Sequence, residues 1–109
     1  MENKEWLKES ETVLLNKVKY AMLKLFSYKS SQFHSSFSIR QSLEITNITV
    51  EKQKKHLVIL ITLGHPDLFI GQNEGEINKS TEYISRITGY PIKFKLIESK
   101  LWEIDYNKL

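Results

Sequence analysis

Ile61-Thr-Leu-Gly-His-Pro-Asp-Leu-Phe-Ile-Gly-Gln-Asn-Glu-Gly-Glu-Ile77 is the stretch whose reading decides the fold. It opens at the end of an apolar run that begins at His56 and reads as a strand, Leu57, Ile59 and Ile61 on one face and Val58 and Leu60 on the other. A strand apolar on both faces belongs at the centre of a sheet. Gly64 and Pro66 break it, a short apolar turn through Leu68, Phe69 and Ile70 follows, and a glycine-bearing loop, Gly71 to Gly75, leads into a new helical pattern. Glycines just ahead of a helix let backbone N–H groups approach a phosphate closely. A carboxylate at the same place, Glu74, opposes that chemistry.

Working outward, Gly75 to Thr88 predicts a helix, with Ile77, Tyr83 or Ile84, and Ile87 lining one face. Gly89 and Pro91 stop it. Ile92, Phe94 and Leu96 then alternate with Lys93 and Lys95, which predicts a strand. On the N-terminal side, Ile39 to Val50 reads as a strand whose apolar phase switches near Asn47, the mark of a bulge or bend. Glu51-Lys-Gln-Lys-Lys55 links it to the central strand. Ser27 to Ser38, serine-rich with Phe33, His34 and Phe37, reads as a loop. Residues 4 to 26 predict a helix, with Leu7, Leu14, Val18, Ala21 and Leu25 on one face, acids early and lysines late. The tail after Glu98 holds Leu101, Trp102, Ile104 and Tyr106 and is expected to pack along an edge.

The 109 residues fit one domain, 1–109: an N-terminal helix and serine-rich loop (1–38), a core (39–98) and a tail (99–109). Apolar residues make up 40% and charged residues 27%, enough to build one core and inconsistent with global disorder. The net charge of +3 permits a polyanionic partner without requiring one. Arg40 and Arg86 stand alone among lysines, so phosphate attraction is better supported than the bidentate reading of guanine.

The chain has no cysteine, which excludes disulfides, thiolate metal sites and cysteine nucleophiles. His34, His56 and His65 lack metal-ligand spacing, and neither a nucleophile elbow nor a P-loop lysine is present. No metal, cofactor or enzymatic activity is expected. No apolar run reaches the ~18 residues of a membrane span, so the expectation is a cytoplasmic protein with no membrane partner.

The ordered pieces Leu57-Val-Ile-Leu-Ile-Thr62, Gly64-His-Pro66, Leu68-Phe-Ile-Gly71, Glu76-Ile77, Thr88-Gly89 and Lys93-Phe-Lys-Leu-Ile-Glu98 resemble a type II KH domain, the version found in a small-subunit ribosomal protein. The resemblance is close over the second half of the chain and extends to the first half in element order only. It implies an α+β fold in the order α-β-β-α-α-β, a three-stranded mixed sheet packed against three helices. It also implies that single-stranded nucleic acid lies beside the loop, with about four nucleotides clamped there.

An ungapped match places Glu74 where the family has its second glycine and puts Gln72 and Asn73 in the middle. A shift of one residue restores glycine at Gly75 and makes a three-residue loop. The resemblance therefore implies single-stranded RNA, less readily DNA, as partner, contacted by Gly71, Gln72, Asn73 and Gly75, with Lys79 and Arg86 as helix cations and Lys93 and Lys95 as secondary contacts. Between Gly64 and Tyr90, however, Asp67, Glu74, Glu76 and Glu82 outnumber Lys79 and Arg86. Further cations must come from elsewhere, and Lys52, Lys54 and Lys55 are candidates. The alternative is a degenerate KH-like fold that no longer binds nucleic acid and serves as a protein-interaction or assembly module, with a protein partner or as a homodimer.

Overall fold

In a computed structural model, which describes residues 8–33 and 43–99, the elements run α1 (Glu11–Phe33), β1 (Ile45–Lys52), β2 (Leu57–Leu63), α2 (Pro66–Ile70), a 3₁₀ turn (Gln72–Glu74), α3 (Gly75–Thr88) and β3 (Ile92–Glu98). The sheet order is β1-β2-β3. β1 pairs antiparallel to β2, and β3 pairs parallel to it. The fold is thus α+β with a three-stranded mixed sheet, in the expected order α-β-β-α-α-β.

The central strand packs as its pattern predicts, with one difference. Leu57, Ile59, Ile61 and Leu63 are fully buried, whereas Val58, Leu60 and Thr62 on the reverse face are half-buried. Among the described residues, helices cover one face only. The register between β1 and β2 shifts between Ile45 and Asn47, where the apolar phase switches: Ile45 lies opposite Leu63, and after the bulge Ile48 and Val50 lie opposite Ile61 and Ile59. β1 begins later than expected. Leu43 is helical and buried, and the turn residue Glu44 has a left-handed φ of 55°, so the chain enters the sheet only at Ile45. Ile39 and Arg40 lie outside the described residues.

Helix α1 differs from expectation at both ends. It starts at Glu11, because the Ser10 hydroxyl accepts the Val13 N–H at 3.2 Å and caps the first turn. Leu7 lies outside the described residues. The helix continues through Ser27 to Phe33, where a loop was expected. Serine costs only about 0.5 kcal/mol per helical position, and no glycine or proline interrupts the run, so a helix anchored by buried Leu25 and Phe26 carries through. The remainder of the serine-rich segment and the tail beyond Ser99 are outside the described residues.

The buried face of α1 is Leu14, Val18, Ala21, Met22, Leu25 and Phe26. In α3 it is Ser80 and Ile84, flanked by half-buried Ile77, Thr81 and Thr88. Ile87 is not part of it: it is 40% exposed in the last turn of α3, although it lies only about 20° around the helix from buried Ser80. Gly89, at φ 77°, ends α3 as predicted and returns its N–H to Ser85 O at 2.8 Å.

A polar cluster ties the start of α1 to the end of α3. The Tyr90 hydroxyl donates to Glu9 Oε2 at 3.0 Å, and the Lys17 ammonium donates to Glu9 Oε1 and to the Tyr90 oxygen, both at 2.8 Å. Lys17 also forms an ion pair with Glu9. The Lys17 hydrogen bond, and then that of Tyr90, hold the Glu9 carboxyl below its ordinary range. The same contacts, Glu9 first, raise Lys17. Lys52 adds a bond from its ammonium to Glu9 O at 2.9 Å. Lys17 thus meets the residue just past the end of α3, while Lys24, two turns on, lies within electrostatic reach of Tyr83. The two helices therefore run antiparallel, and the later turns of α1 head toward the start of α3.

Candidate nucleic-acid interface

The loop geometry follows from one residue. Gly71 has φ 74° and ψ 176°, a region open essentially to glycine alone. A Cβ there would sit 2.6 Å from Glu76 Cγ and 2.7 Å from Glu76 Cβ. Gly71 closes α2 by donating its N–H to Asp67 O at 2.9 Å, and its own carbonyl accepts the Glu74 N–H at 3.3 Å. The chain then turns through two left-handed residues, Asn73 (φ 54°, ψ 33°) and Glu74 (φ 61°, ψ 19°), before Gly75 enters α3 with ordinary right-handed angles, φ −63° and ψ −43°.

That conformation separates the two glycines of the loop. The second left-handed position is Glu74, where the ungapped match puts the family's second glycine. Gly75 needs neither glycine's freedom nor its small size, since a Cβ there meets nothing within 4 Å. The turn is Gly71-Gln72-Asn73-Glu74, with glutamate holding a backbone conformation that glycine takes more readily.

Gln72, Asn73 and Glu74 are exposed at the head of α3. Among the described residues, no hydrogen bond uses the N–H of Gln72 or Asn73. Lys79, exposed one turn beyond Gly75, stands over the same end. Arg86 lies on the same stripe of α3, about 10 Å further along at 1.5 Å per residue. Its guanidinium carbon is 5.8 Å from the centre of the Tyr83 ring. Gly71, Gln72, Asn73, Gly75 and Lys79 are thus brought together, with Arg86 down the helix from them.

Lys93 and Lys95 are not brought to that end of the molecule. Phe94 faces the helices, its ring 5.1 Å from that of Phe69 in an edge contact. Side chains alternate along a strand, so Lys93 and Lys95 point to the face of the sheet away from the described helices, beside Val58 and Leu60. A strand of nucleic acid touching both the loop and these lysines must pass around the edge at β3. Of the linker lysines, Lys54 and Lys55 are exposed, whereas Lys52 is half-buried and bonded to Glu9 O.

A cation that the linear pattern did not point to comes from α1. Lys24 sits 4.9 Å from the centre of the Tyr20 ring. Contact with Tyr20 raises its pKa, and Tyr83 on α3 adds to that effect. The Tyr20/Lys24 spacing of i, i+4 was a legible pair, but its position beside α3 depends on helix packing. His65, expected in the turn, precedes Pro66 at the start of α2, its Nε2 3.5 Å from Glu44 Oε2. Among the described residues no group of His, Asp and Glu could hold a metal ion, and no helix is long and apolar enough to cross a membrane.

Comparison with known proteins finds a consistent likeness. The chain is 32% identical over 59 residues to small ribosomal subunit protein uS3 of Chlorobium limicola, covering 54% of this chain and 24% of that protein. It is 32% identical over 66 residues to uS3 of Chlorobium luteolum, covering 61% and 26% respectively. It is 34% identical over 61 residues to uS3 of Pelodictyon phaeoclathratiforme, covering 56% and 24%. The chain spans about a quarter of the length of these relatives. Profiles of known protein families find no match to it.

Proposed function

We propose that this chain, residues 1–109 as one domain, is a type II KH-like module that binds single-stranded RNA through the Gly71–Gly75 turn. The observation that carries the reading is the turn itself. Gly71 is held in a glycine-only conformation against Glu76, and it presents Gln72 and Asn73 at the head of α3 with their N–H groups unused among the described residues. Backbone N–H groups and amide side chains are phosphate ligands that carry no sequence information, so binding is to the sugar–phosphate path. Lys79 and Arg86 supply charge along α3. The relatives are small-subunit ribosomal proteins, the setting the KH resemblance pointed to, and a ribosomal setting favours RNA over DNA. The fold order and mixed sheet are compatible with this reading. Lys93 and Lys95, on the far face of the sheet, contribute only to a longer strand that rounds β3. Replacing both Gln72 and Asn73 with Asp puts two carboxylates on the phosphate path and abolishes binding without unfolding the domain. Unchanged binding removes the loop from the mechanism.

One observation favours a second reading. Glu74 occupies the position of the motif's second glycine with a carboxylate that repels phosphate, in a segment that is net negative between Gly64 and Tyr90. On that reading the fold has kept its shape and become a protein-interaction module or a homodimer. Size-exclusion chromatography with light scattering separates the two: a monomer that binds RNA excludes a homodimer, and a dimer that binds none excludes the RNA clamp.

A further inference from the structure

The proposed RNA site is short of cations where it is expected to be rich in them. Only Lys79 and Arg86 offset four acids between Gly64 and Tyr90. The antiparallel packing of α1 on α3 changes that balance. It sets two cation–ring pairs on adjoining helices: Lys24 over Tyr20 at 4.9 Å on α1, and Arg86 over Tyr83 at 5.8 Å on α3, with Lys24 within electrostatic reach of Tyr83. Tyr20 is 58% exposed, an unusual place for a large aromatic ring. Tyr83 is half-buried between the helices. On α3, Lys79 continues the line toward the loop, and Glu82 is the acid beside it.

We infer that Tyr20, Lys24, Tyr83 and Arg86 form a second contact surface for single-stranded RNA, which carries the strand from the loop along the α1–α3 seam. The inference rests on the RNA reading of the loop. Rings flanked by cations are the combination that single-stranded nucleic acid uses: bases stack on the aromatic faces while neighbouring cations meet the phosphates. The surface also explains how a chain with a net acidic loop segment holds a polyanion: the missing positive charge comes from α1.

The test compares the protein with Tyr20→Ala and Lys24→Gln, all checked for unchanged circular dichroism, in binding fluorescent uridine tetramers and 12-mers at two salt concentrations. The loop accounts for about four nucleotides. The tetramer should therefore bind all three proteins alike, whereas the 12-mer should bind Tyr20→Ala about fivefold or more weakly. Lys24→Gln should flatten the slope of log Kd against log salt for the 12-mer by about 0.7, the contribution of one phosphate that is no longer neutralised. Photocross-linking of a 12-mer containing 5-iodouridine should label Tyr20 or Tyr83. A 12-mer whose affinity the variants leave unchanged overturns this inference alone, provided that Gln72→Asp/Asn73→Asp still abolishes binding. A wild type that binds neither RNA overturns the loop reading as well. Binding of poly-glutamate as tight as that of the 12-mer marks the surface as protein-facing and also overturns it.

Discussion

The two glycines of the loop should respond to alanine with opposite signs. At Gly71 the new Cβ forces φ 74° on an L-residue, which costs about 1–2 kcal/mol. It also drives the Cβ to within 2.6–2.7 Å of Glu76 Cγ and Cβ, and overpacking of that kind costs a further ~1–3 kcal/mol. Gly71→Ala should therefore destabilise the domain by about 2–5 kcal/mol, a large part of the ~5–15 kcal/mol that holds a small domain together. At Gly75 the angles are those of an α-helix and the added Cβ meets open space. Alanine there lowers only the freedom of the unfolded chain and should stabilise by about 0.4–1 kcal/mol. Urea denaturation followed by circular dichroism reads both as shifts of the midpoint at constant slope. If Gly75→Ala is destabilising by more than about 1 kcal/mol, or Gly71→Ala is tolerated, the loop uses the shifted register with glycine needed at position 75, and the assignment of Glu74 to the left-handed position is wrong.

Other predictions follow from single features. Glu74→Gly should stabilise by about 0.5 kcal/mol, the relief of a left-handed glutamate (about 1–2 kcal/mol) less the cost of glycine's extra freedom (about 0.5–1 kcal/mol), and should tighten RNA binding by removing a carboxylate; both are read by denaturation and titration of the same sample. Ser80 is fully buried, and its hydroxyl has no hydrogen-bond partner among the described residues. Ser80→Ala should stabilise by about 1 kcal/mol through the lost desolvation penalty and better helix propensity, and a lower melting temperature would contradict that. Glu9 has a lowered folded-state pKa, so its contribution is present above the unfolded carboxylate value and is lost as pH falls through the folded one. Lys17 has a raised one, so its contribution is present below the unfolded lysine value and is lost as pH rises through the folded one. Thermal melts should weaken below about pH 4 and above about pH 10, and Glu9→Gln should blunt the acid limb.

The part of the fold legible in the sequence is the part whose signals are local. Strict alternation marks β3, a double-faced apolar run marks β2, the Gly89 stop marks the end of α3, and the phase switch near Asn47 marks the bulge. Where tertiary packing overrides local preference, the pattern misleads. Ser27 to Phe33 carries turn-forming serines yet is helical, because an anchored helix propagates past weakly unfavourable residues. Ile87 has the right chemistry for the core and shares the stripe of buried Ser80, yet in the last turn of α3 it stays exposed. The candidate site divides the same way. The Gly71 turn and the nearness of Lys79 follow from sequence adjacency. Lys93 and Lys95 look like partners for the loop along the chain, but the parity of Phe94 turns them to the other face of the sheet. Lys24 and Tyr20, far upstream of the loop, reach α3 only through the antiparallel packing that Glu9, Lys17 and Tyr90 secure. The left-handed angles of Glu74 are set by the turn and are not visible in the letters alone.

The central claim is that the Gly71–Glu74 turn clamps single-stranded RNA. Titration of the purified protein and of Gln72→Asp/Asn73→Asp with fluorescent poly-uridine and mixed-sequence 12-mers at two salt concentrations tests it most directly. The account predicts micromolar binding by the wild type, indifferent to base sequence and weaker at high salt, and none by the variant. No binding by the wild type at high protein concentration, or equal binding by a folded variant, would contradict it.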